Sequence, residues 1–198
     1  MIILGFDVSK KRTGWSVLDD TKVNCNKVVA YGVLECPKEY EKDNNLDESF
    51  NALLRWYYDK SLKLISKYDP DVIVLEDLNI QYNIAAKTIL QIQAVIKLSG
   101  DEVPVKLIHN KTVKSVFKIK NDSNYIDQNE LKICKEHKIK KVVKVRMIKA
   151  VNEIFDLKLK YNQDDEADSI ALAYTQYLRE VGAITKNVKK EKRNTKSR

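Results

Sequence analysis

Two short apolar runs in this chain each end in a carboxylate. Residues 2–7 read IILGFD and residues 71–76 read DVIVLE, and both have the length and the β-branched content of buried strands. Side chains alternate along a strand, and this alternation places Asp7 and Glu76 on the face that the apolar residues would bury. A buried carboxylate is costly unless a cation or hydrogen bonds compensate its charge. Each acid therefore predicts a partner, either the basic loop 10–12 or a metal ion, unless the strand end simply turns into solvent.

The order of the predicted elements indicates an α/β fold. Three early strands are followed by helices that alternate with further strands, which is typical of a mixed sheet flanked by helices. Alternating or β-branched runs predict strands at 2–7, 14–18, 28–34, 71–76 and 103–108. Apolar residues at helical spacing predict helices at 46–68, 84–98, 111–117, 128–136, 142–155 and 164–181.

The predicted elements form one domain, which we expect to span residues 1–183. A polar, lysine-rich stretch at about 119–141 is expected to be an excursion inserted into this domain. Residues 184–198 lack apolar periodicity, so we expect them to form a basic, disordered tail.

The charge of the chain is segregated along its length. Residues 105–160 carry 15 Lys/Arg against 6 Asp/Glu, residues 161–184 carry 1 against 5, and residues 185–198 carry 7 against 1. A basic middle and a basic tail on either side of an acidic segment favour a polyanionic partner, most simply nucleic acid. The alternative is the solvated surface of a lysine-rich protein.

The composition excludes several classes of protein. With 43% hydrophobic and 32% charged residues, the chain is typical of a globular protein, and none of its apolar runs has the length of a membrane span. Its three cysteines are widely spaced and form no CxxC pair, which argues against a zinc site and against a disulfide framework. The N-terminus carries no signal-type stretch, so we expect an intracellular, cytoplasmic protein.

A third acidic motif begins the last predicted helix. Residues 162–174 read NQDDEADSIALAY, and acids in the first turn of a helix suit the positive end of its dipole. That capping role explains Asp168 poorly, because Asp168 borders the apolar stripe of the helix. Asp165 and Asp168 are three residues apart and therefore point the same way. The alanines of this helix would let it approach a sheet closely enough for its acids to meet the two strand-end acids.

Four converging carboxylates would repel one another unless cations held them together. Hard oxygen ligands select Mg²⁺ or Mn²⁺. Two such ions about 4 Å apart can activate a water and stabilise the leaving oxygen of a phosphodiester. A basic surface around the acids would hold the phosphate backbone that the acids alone would repel. The pattern therefore predicts phosphodiester hydrolysis on nucleic acid.

Several of these segments, taken in order, resemble the RuvC-type Holliday junction resolvases of the RNase H-like superfamily. The segments are ILGFDVSKKRTGWSVL, DVIVLEDLNI, AAKTILQIQAVI, VKLIHNKTVKSVF and NQDDEADSIALAYTQYL, and they cover most of the chain. The resemblance implies an RNase H-like fold and a catalytic tetrad of Asp7, Glu76, Asp165 and Asp168 that binds two Mg²⁺, with Mn²⁺ as a substitute. It also implies a homodimer that places two active sites on a four-way DNA junction and nicks two strands symmetrically.

The resemblance further implies roles for basic residues. Lys114 matches a family lysine near the active site and is expected to take part in catalysis. Lys144 is a candidate for a second such lysine, and an ordinary solvated charge is the alternative for both. We expect the DNA-binding surface to include Lys10, Lys11, Arg12, Asn79, Tyr82, Lys87, Lys111, Lys144 and Arg146.

The chain departs from the family pattern at several positions. Ser9 stands where the family often has a glycine. Asn79 stands where bacterial members commonly place an aromatic residue that wedges into the junction, and Tyr82 is a candidate substitute. The 119–141 excursion and the tail are longer than those of a minimal bacterial member. A phage- or virus-encoded relative would fit this divergence.

Three other functions are compatible with parts of the sequence. A different RNase H-like nuclease would act on RNA or on hybrids, and a substrate panel would separate it from a resolvase. A non-catalytic junction-binding protein would use the same basic segments, but it would gain nothing from four acids beside a polyanion. An actin-like ATPase would also begin with a strand and an aspartate, but the five glycines of this chain form no phosphate-binding cluster.

Overall fold

The predicted strands and helices are all present in a computed structural model that describes residues 1–22, 27–40, 47–78, 84–119 and 127–184. Within these residues the strands are β1 Ile2–Asp7, β2 Arg12–Asp19, β3 Val28–Glu35, β4 Val72–Asp77 and β5 Val105–His109. The helices are α1 Asp47–Tyr68, α2 Ile84–Ser99, α3 Asn110–Val116, α4 Gln128–Glu136, α5 Val142–Phe155 and α6 Asp164–Glu180, with a short 3-10 helix at Lys38–Tyr40.

The strands form one mixed sheet in the order β3-β2-β1-β4-β5. β1, β2 and β3 pair antiparallel in sequence order, whereas β4 pairs parallel with both β1 and β5. The sheet with its flanking helices confirms the predicted α/β class. Because β1, β4 and β5 run in the same direction, their carboxyl ends meet at one edge of the sheet, where parallel strands commonly present functional side chains.

Alternation along the strands divides the core into two layers. One face of the sheet packs its side chains, such as Leu4 and Leu75, together with buried residues of α1 and α2. The opposite face packs Ile3 and Val74 together with residues of α3, α5 and α6. Asp7 and Glu76 share the strand parity of this second face, as their spacing predicts. Both acids therefore lie on the side of the sheet that α6 covers.

Helix α6 approaches β1 and β2 at the distance that glycine allows. A Cβ on Gly5 would stand 2.7 Å from the carbonyl oxygen of Ser169, and a Cβ on Gly14 would stand 1.9 Å from that of Asp165. Real Cβ atoms do not come this close to a backbone oxygen, so these two positions require glycine. Together with the alanines of α6, they bring the first turn of the helix onto the sheet.

The described part of the predicted excursion contains α4, which packs against α5. The carboxylate of Glu130 on α4 accepts hydrogen bonds from Arg146 on α5, with a closest distance of 2.8 Å, and both side chains are largely buried. This pair fixes α4 to the domain.

Most of the predicted tail, residues 185–198, lies outside the described residues, so its predicted disorder stays a prediction. Among the described residues, no helix has the length and apolar character needed to cross a membrane.

Candidate active site

A cavity of about 420 Å³ lies at the edge of the sheet where β1 and β4 end. Three of the four predicted tetrad acids line this cavity, and each comes from a different element: Asp7 from β1, Glu76 from β4 and Asp168 from α6. Acids that are 69 and 92 residues apart in the chain therefore face one space. The other polar and charged residues that line the cavity are Asn110, Lys114, Lys141 and Lys144.

Strand register places the first two acids side by side. The parallel pairing of β1 with β4 sets Phe6 opposite Leu75, so Asp7 and Glu76 are the next residues along the two strands. Glu76 is held at two points: its backbone carbonyl accepts a hydrogen bond from the buried Gln93 amide at 2.9 Å, and its Oε1 accepts one from Asn110 Nδ2 at 2.9 Å. Asp7 and Glu76 thus belong to the rigid sheet.

The two acids of α6 differ in their surroundings. Asp168 lines the cavity together with Asp7 and Glu76. Asp165 lies one turn earlier and is not among the residues that line the cavity. Its Oδ2 accepts a hydrogen bond from Arg12 Nε at 2.9 Å. The spacing predicts that both acids point the same way, and both do lie on the side of α6 that faces β1 and β2. Only Asp168, however, faces the cavity directly.

The environment of the site disfavours the anionic forms of Asp7, Asp165 and Asp168. Burial raises the pKa of the Asp7 carboxyl well above its ordinary value, and the neighbouring acids, led by Asp168, raise it further. Burial also raises the pKa of Asp168 to about 7, although Lys144 opposes the rise. Burial and the charge of Asp164 raise the pKa of Asp165 against the opposing effect of Arg12. The protein's own cations therefore do not offset the charge of this cluster.

Two of the predicted lysines stand at the cavity. Lys114 lies in the last turn of α3 and lines the cavity wall. Lys144 lies in α5, where its ammonium group forms an ion pair with Asp164. Burial alone would lower the pKa of Lys144, but the hydrogen bond to Asp164 and the charges of the neighbouring acids outweigh it and raise that pKa. Both lysines thus supply positive charge beside the acids.

The four acids are chemically suited to a hard divalent cation. All of their donor atoms are carboxylate oxygens, and burial, which raises the pKa of Asp7 and Asp168, disfavours the anionic form that a bound cation would stabilise. Within the described ranges, however, no group of three or more Asp, Glu, His or Cys side chains is placed to hold a metal ion as it stands. Oxygen atoms of Asp165 and Glu76 are instead engaged by Arg12 and Asn110. A metal site here would require these contacts to rearrange.

Asn110 is a site residue that the sequence reasoning did not identify. It is the first residue of α3 and directly follows β5, the parallel neighbour of β4. A polar residue immediately after a strand that runs parallel to the Glu76 strand was the available signal, because the ends of such strands coincide. The start of α3 is also fixed by its N-cap, where His109 Nδ1 accepts a hydrogen bond from the backbone N–H of Lys111 at 3.2 Å.

The other predicted DNA-binding residues occupy several positions. Lys10, Lys11 and Arg12 lie around the turn between β1 and β2, beside the end of β1. Lys87 on α2 and Lys111 on α3 are exposed. Arg146 is engaged in the ion pair with Glu130, so its position gives the DNA-binding prediction no support. The predictions for Asn79 and Tyr82 lie outside the described residues.

Comparison with known proteins adds an independent observation. No protein-family model matches the chain. In sequence, it is 25% identical over 185 residues to the crossover junction endodeoxyribonuclease RuvC of Dictyoglomus thermophilum, a match that covers 92% of this chain and 99% of that protein. The curated RuvC of Dictyoglomus turgidum is also 25% identical, over 183 residues, with the same coverage.

Structural comparison gives the same family of neighbours. The structure of Thermus thermophilus RuvC in complex with a Holliday junction substrate is similar with a TM-score of 0.64 and 14% identity, covering 92% of this chain and 97% of that one. That similarity shows a shared fold. Together with the sequence matches, it confirms that the chain resembles the RuvC-type Holliday junction resolvases along nearly its whole length and has their RNase H-like fold.

Proposed function

We propose that this chain is a divalent-metal-dependent endonuclease that resolves four-way DNA junctions. The observation that carries the proposal is the convergence of Asp7, Glu76 and Asp168 on one cavity whose wall also contains Lys114 and Lys144. The relatives that match the chain along 92% of its length are crossover junction endodeoxyribonucleases, and one solved neighbour holds a Holliday junction substrate. These similarities support DNA junctions as the substrate class.

The tetrad acids are the proposed ligands of Mg²⁺, with Mn²⁺ as a substitute. When bound, a pair of such ions would activate a water molecule and offset the charge that develops on the phosphate and on the leaving oxygen. The residues of the chain have defined tasks around this chemistry. Asp7 and Glu76 provide carboxylates fixed by the sheet, and Asp168 provides one from α6.

The lysines of the cavity wall are proposed to hold the DNA phosphate beside the acids. Lys114 and Lys144 are positive groups on two separate helices that line the same cavity as the acids, so they can contact a phosphate that enters it. Positive charge that is already in place stabilises the extra negative charge of the transition state. Water attack would break the P–O3′ bond, leaving a 3′-hydroxyl on one fragment and a 5′-phosphate on the other.

The proposed working unit is a homodimer in the cytoplasm that acts in recombination and repair. A four-way junction is resolved cleanly when two strands are nicked at symmetric positions, and one cavity on each of two copies would provide both nicks. Light scattering on the purified protein would give the mass of the particle. On a supercoiled plasmid with an extruded cruciform, a dimer with paired nicks yields linear product directly, whereas independent nicking accumulates open circles first.

Cleavage of a synthetic four-way junction with Mg²⁺ tests the proposal. We expect Asp7→Asn and Glu76→Gln to reduce cleavage by at least about 100-fold, because each removes a charged oxygen donor while keeping the side-chain shape. Asp59→Asn is a matched control, since this exposed acid of α1 lies on the other face of the sheet. Full activity of Asp7→Asn would refute the assignment.

A substrate panel separates the proposal from its alternatives. The panel consists of a four-way junction, a linear duplex, an RNA–DNA hybrid and a single strand. Preference for the junction supports a resolvase, and preference for the hybrid or the single strand indicates a different RNase H-like nuclease. Tight junction binding without cleavage in both Mg²⁺ and Mn²⁺ indicates a non-catalytic binding protein.

A further inference from the structure

Arg12 is engaged with one of the four proposed metal ligands. Its Nε donates to Asp165 Oδ2 at 2.9 Å, and its Nη1 lies 3.2 Å from Glu35 Oε1. The negative charge of Glu166, next to Asp165 in α6, also favours the charged form of the guanidinium. Asp165 is only 18% exposed, whereas Arg12 is 45% exposed and can leave the contact toward solvent. The guanidinium therefore occupies the position of a counter-ion for Asp165.

The backbone of Arg12 is held in place by Ser9, the residue that stands where the family often has a glycine. Ser9 Oγ donates to the carbonyl of Arg12 at 2.6 Å and accepts from its backbone N–H at 3.1 Å. The strand continues through Gly14, against which the first turn of α6 is packed. These two constraints set the start of β2 beside Asp165, so the contact between Arg12 and Asp165 follows from the way β2 and α6 pack.

The contact turns one of the four acids away from the cavity. Four acids are available from the sequence, yet in the described part of the chain no three of them are placed to hold an ion. Asp165 faces Arg12 while Asp7, Glu76 and Asp168 line the cavity. A guanidinium stays protonated at any pH that the folded chain meets, so it cannot withdraw by losing its charge. It can leave Asp165 only by moving.

We propose that Arg12 is a positioning residue that acts through Asp165 as a built-in counter-ion, which a divalent cation must displace before all four acids can bind it. The inference rests on the proposed function, since it takes Asp165 as a metal ligand. Arg12 would keep one anchor when displaced, because Glu35 is 70% exposed and already pairs with it. The guanidinium would then lie beside the site, available to a DNA phosphate, as predicted from the sequence.

Displacement has a measurable consequence for metal affinity. If Arg12 competes with the cation for Asp165, then removing the positive charge of Arg12 must tighten metal binding. An ion pair with one half-exposed partner is a weak competitor, so the expected change is roughly fivefold. The competition takes place without DNA, and it can therefore be observed without any measurement of cleavage.

Calorimetric titration of the full-length, DNA-free protein with Mn²⁺ tests the inference. We expect Arg12→Gln to bind Mn²⁺ roughly fivefold more tightly than the wild type. Arg12→Lys keeps the positive charge and should remain within about twofold of the wild type. Lys22→Gln is the charge-matched control, because it removes an exposed positive charge in the turn at the opposite end of β2 and should leave the affinity unchanged.

The outcomes that overturn the inference are distinct from those that overturn the proposed function. An affinity of Arg12→Gln equal to or weaker than that of the wild type overturns the inference alone, provided that the wild type binds Mn²⁺ and Asp165→Asn weakens this binding. Equal tightening in Lys22→Gln also overturns it, because the effect would then come from net charge. A wild type that binds no Mn²⁺ overturns the inference together with the proposed metal site. An Asp165→Asn variant with unchanged binding overturns the inference and the role of Asp165 as a ligand, and it leaves the other three acids as the proposed site.

Discussion

At the residue scale, Asp168 shows how the burial of an acid creates a functional site at the expense of stability. Its pKa is about 7 in the folded chain, and burial is the largest cause of this rise. An aspartate in an unfolded chain has a pKa near 4. Between these pH values the folded chain holds a proton that the unfolded chain has lost. The free energy of unfolding therefore falls as the pH rises through this window.

The pH dependence gives a prediction for the metal-free protein. Asp168→Asn cannot ionise and so avoids the cost of a buried anion above about pH 7. We expect this variant to melt at least about 3 °C above the wild type near pH 8, since about 1 kcal/mol shifts the melting temperature of a domain of this size by about 2–4 °C. Near pH 4 the difference should largely vanish. Thermal melts monitored by circular dichroism in chelator check this, and a pH-independent difference would contradict it.

Asn110 gives a second prediction at this scale. Its amide, a neutral donor, orients Glu76 through one hydrogen bond and leaves the other carboxylate oxygen available. Asn110→Ala frees the Glu76 side chain, so we expect roughly tenfold weaker Mn²⁺ binding in calorimetry, in line with the loss of a partner that orients a metal ligand. Asn51→Ala, at an exposed position of α1, is the control. Unchanged Mn²⁺ affinity in Asn110→Ala would mean that Glu76 needs no such support.

At the scale of elements, the site depends on how closely α6 lies on the sheet. Parallel strands alone bring Asp7 and Glu76 together. Asp168 reaches them only because α6 packs so closely on β1 and β2 that glycines are required at the contact. The helix also carries Asp165 to Arg12 at the start of β2. The packing of one helix against two strands thus determines the surroundings of two of the four acids.

Gly14 tests this packing. A Cβ at Gly14 would stand 1.9 Å from a backbone oxygen, so Gly14→Ala must push α6 away, and we expect a loss of about 3 kcal/mol in the free energy of unfolding. Gly100→Ala is the matched control, because its Cβ would crowd only the far end of the Ile73 side chain and meet backbone atoms at ordinary contact distance, and it should cost about 1 kcal/mol or less. Urea denaturation measures both values. Equal losses in the two variants would show that the close approach of α6 is not the cause.

The elements themselves follow closely from local sequence. α5 at Val142–Phe155 and α4 at Gln128–Glu136 have the bounds that apolar spacing predicts, and β1 ends at Asp7 as its run of apolar residues indicates. Local patterns succeed here because these helices have an apolar face and the central strands are short, continuous apolar runs. They carry no information about the ion pair between Arg146 and Glu130, because the two residues belong to different helices.

At the scale of the whole molecule, the distribution of charge indicates how DNA would be bound. The segment 105–160 is strongly basic, and the tail 185–198 carries 7 Lys/Arg against 1 Asp/Glu. The acids of the cavity repel a phosphate backbone, so DNA binding must draw on these basic segments. Each phosphate that a lysine or arginine neutralises releases counterions, which makes binding sensitive to salt.

Removal of the tail tests this account. A chain that ends at residue 184 should bind a four-way junction more weakly. The slope of the logarithm of its binding constant against the logarithm of the salt concentration should be shallower by about one unit per lost phosphate contact. Its rate of junction cleavage at saturating protein should remain within about twofold of the full chain, because no tetrad acid lies in the tail. Fluorescence anisotropy at several salt concentrations measures the slope. An identical slope with and without the tail would show that the tail does not contact DNA.

The sequence by itself determined the strands and helices, the face on which Asp7 and Glu76 lie, and the acidic first turn of α6. It could do so because each of these depends on spacing within a few residues. Only the tertiary structure decided that Asp168 faces the cavity, that Asp165 faces Arg12, and that Asn110 supports Glu76. Those contacts join residues that are 34 to 161 positions apart in the chain, and they depend on how closely a helix packs on a sheet, which the alanines of α6 indicate but do not fix.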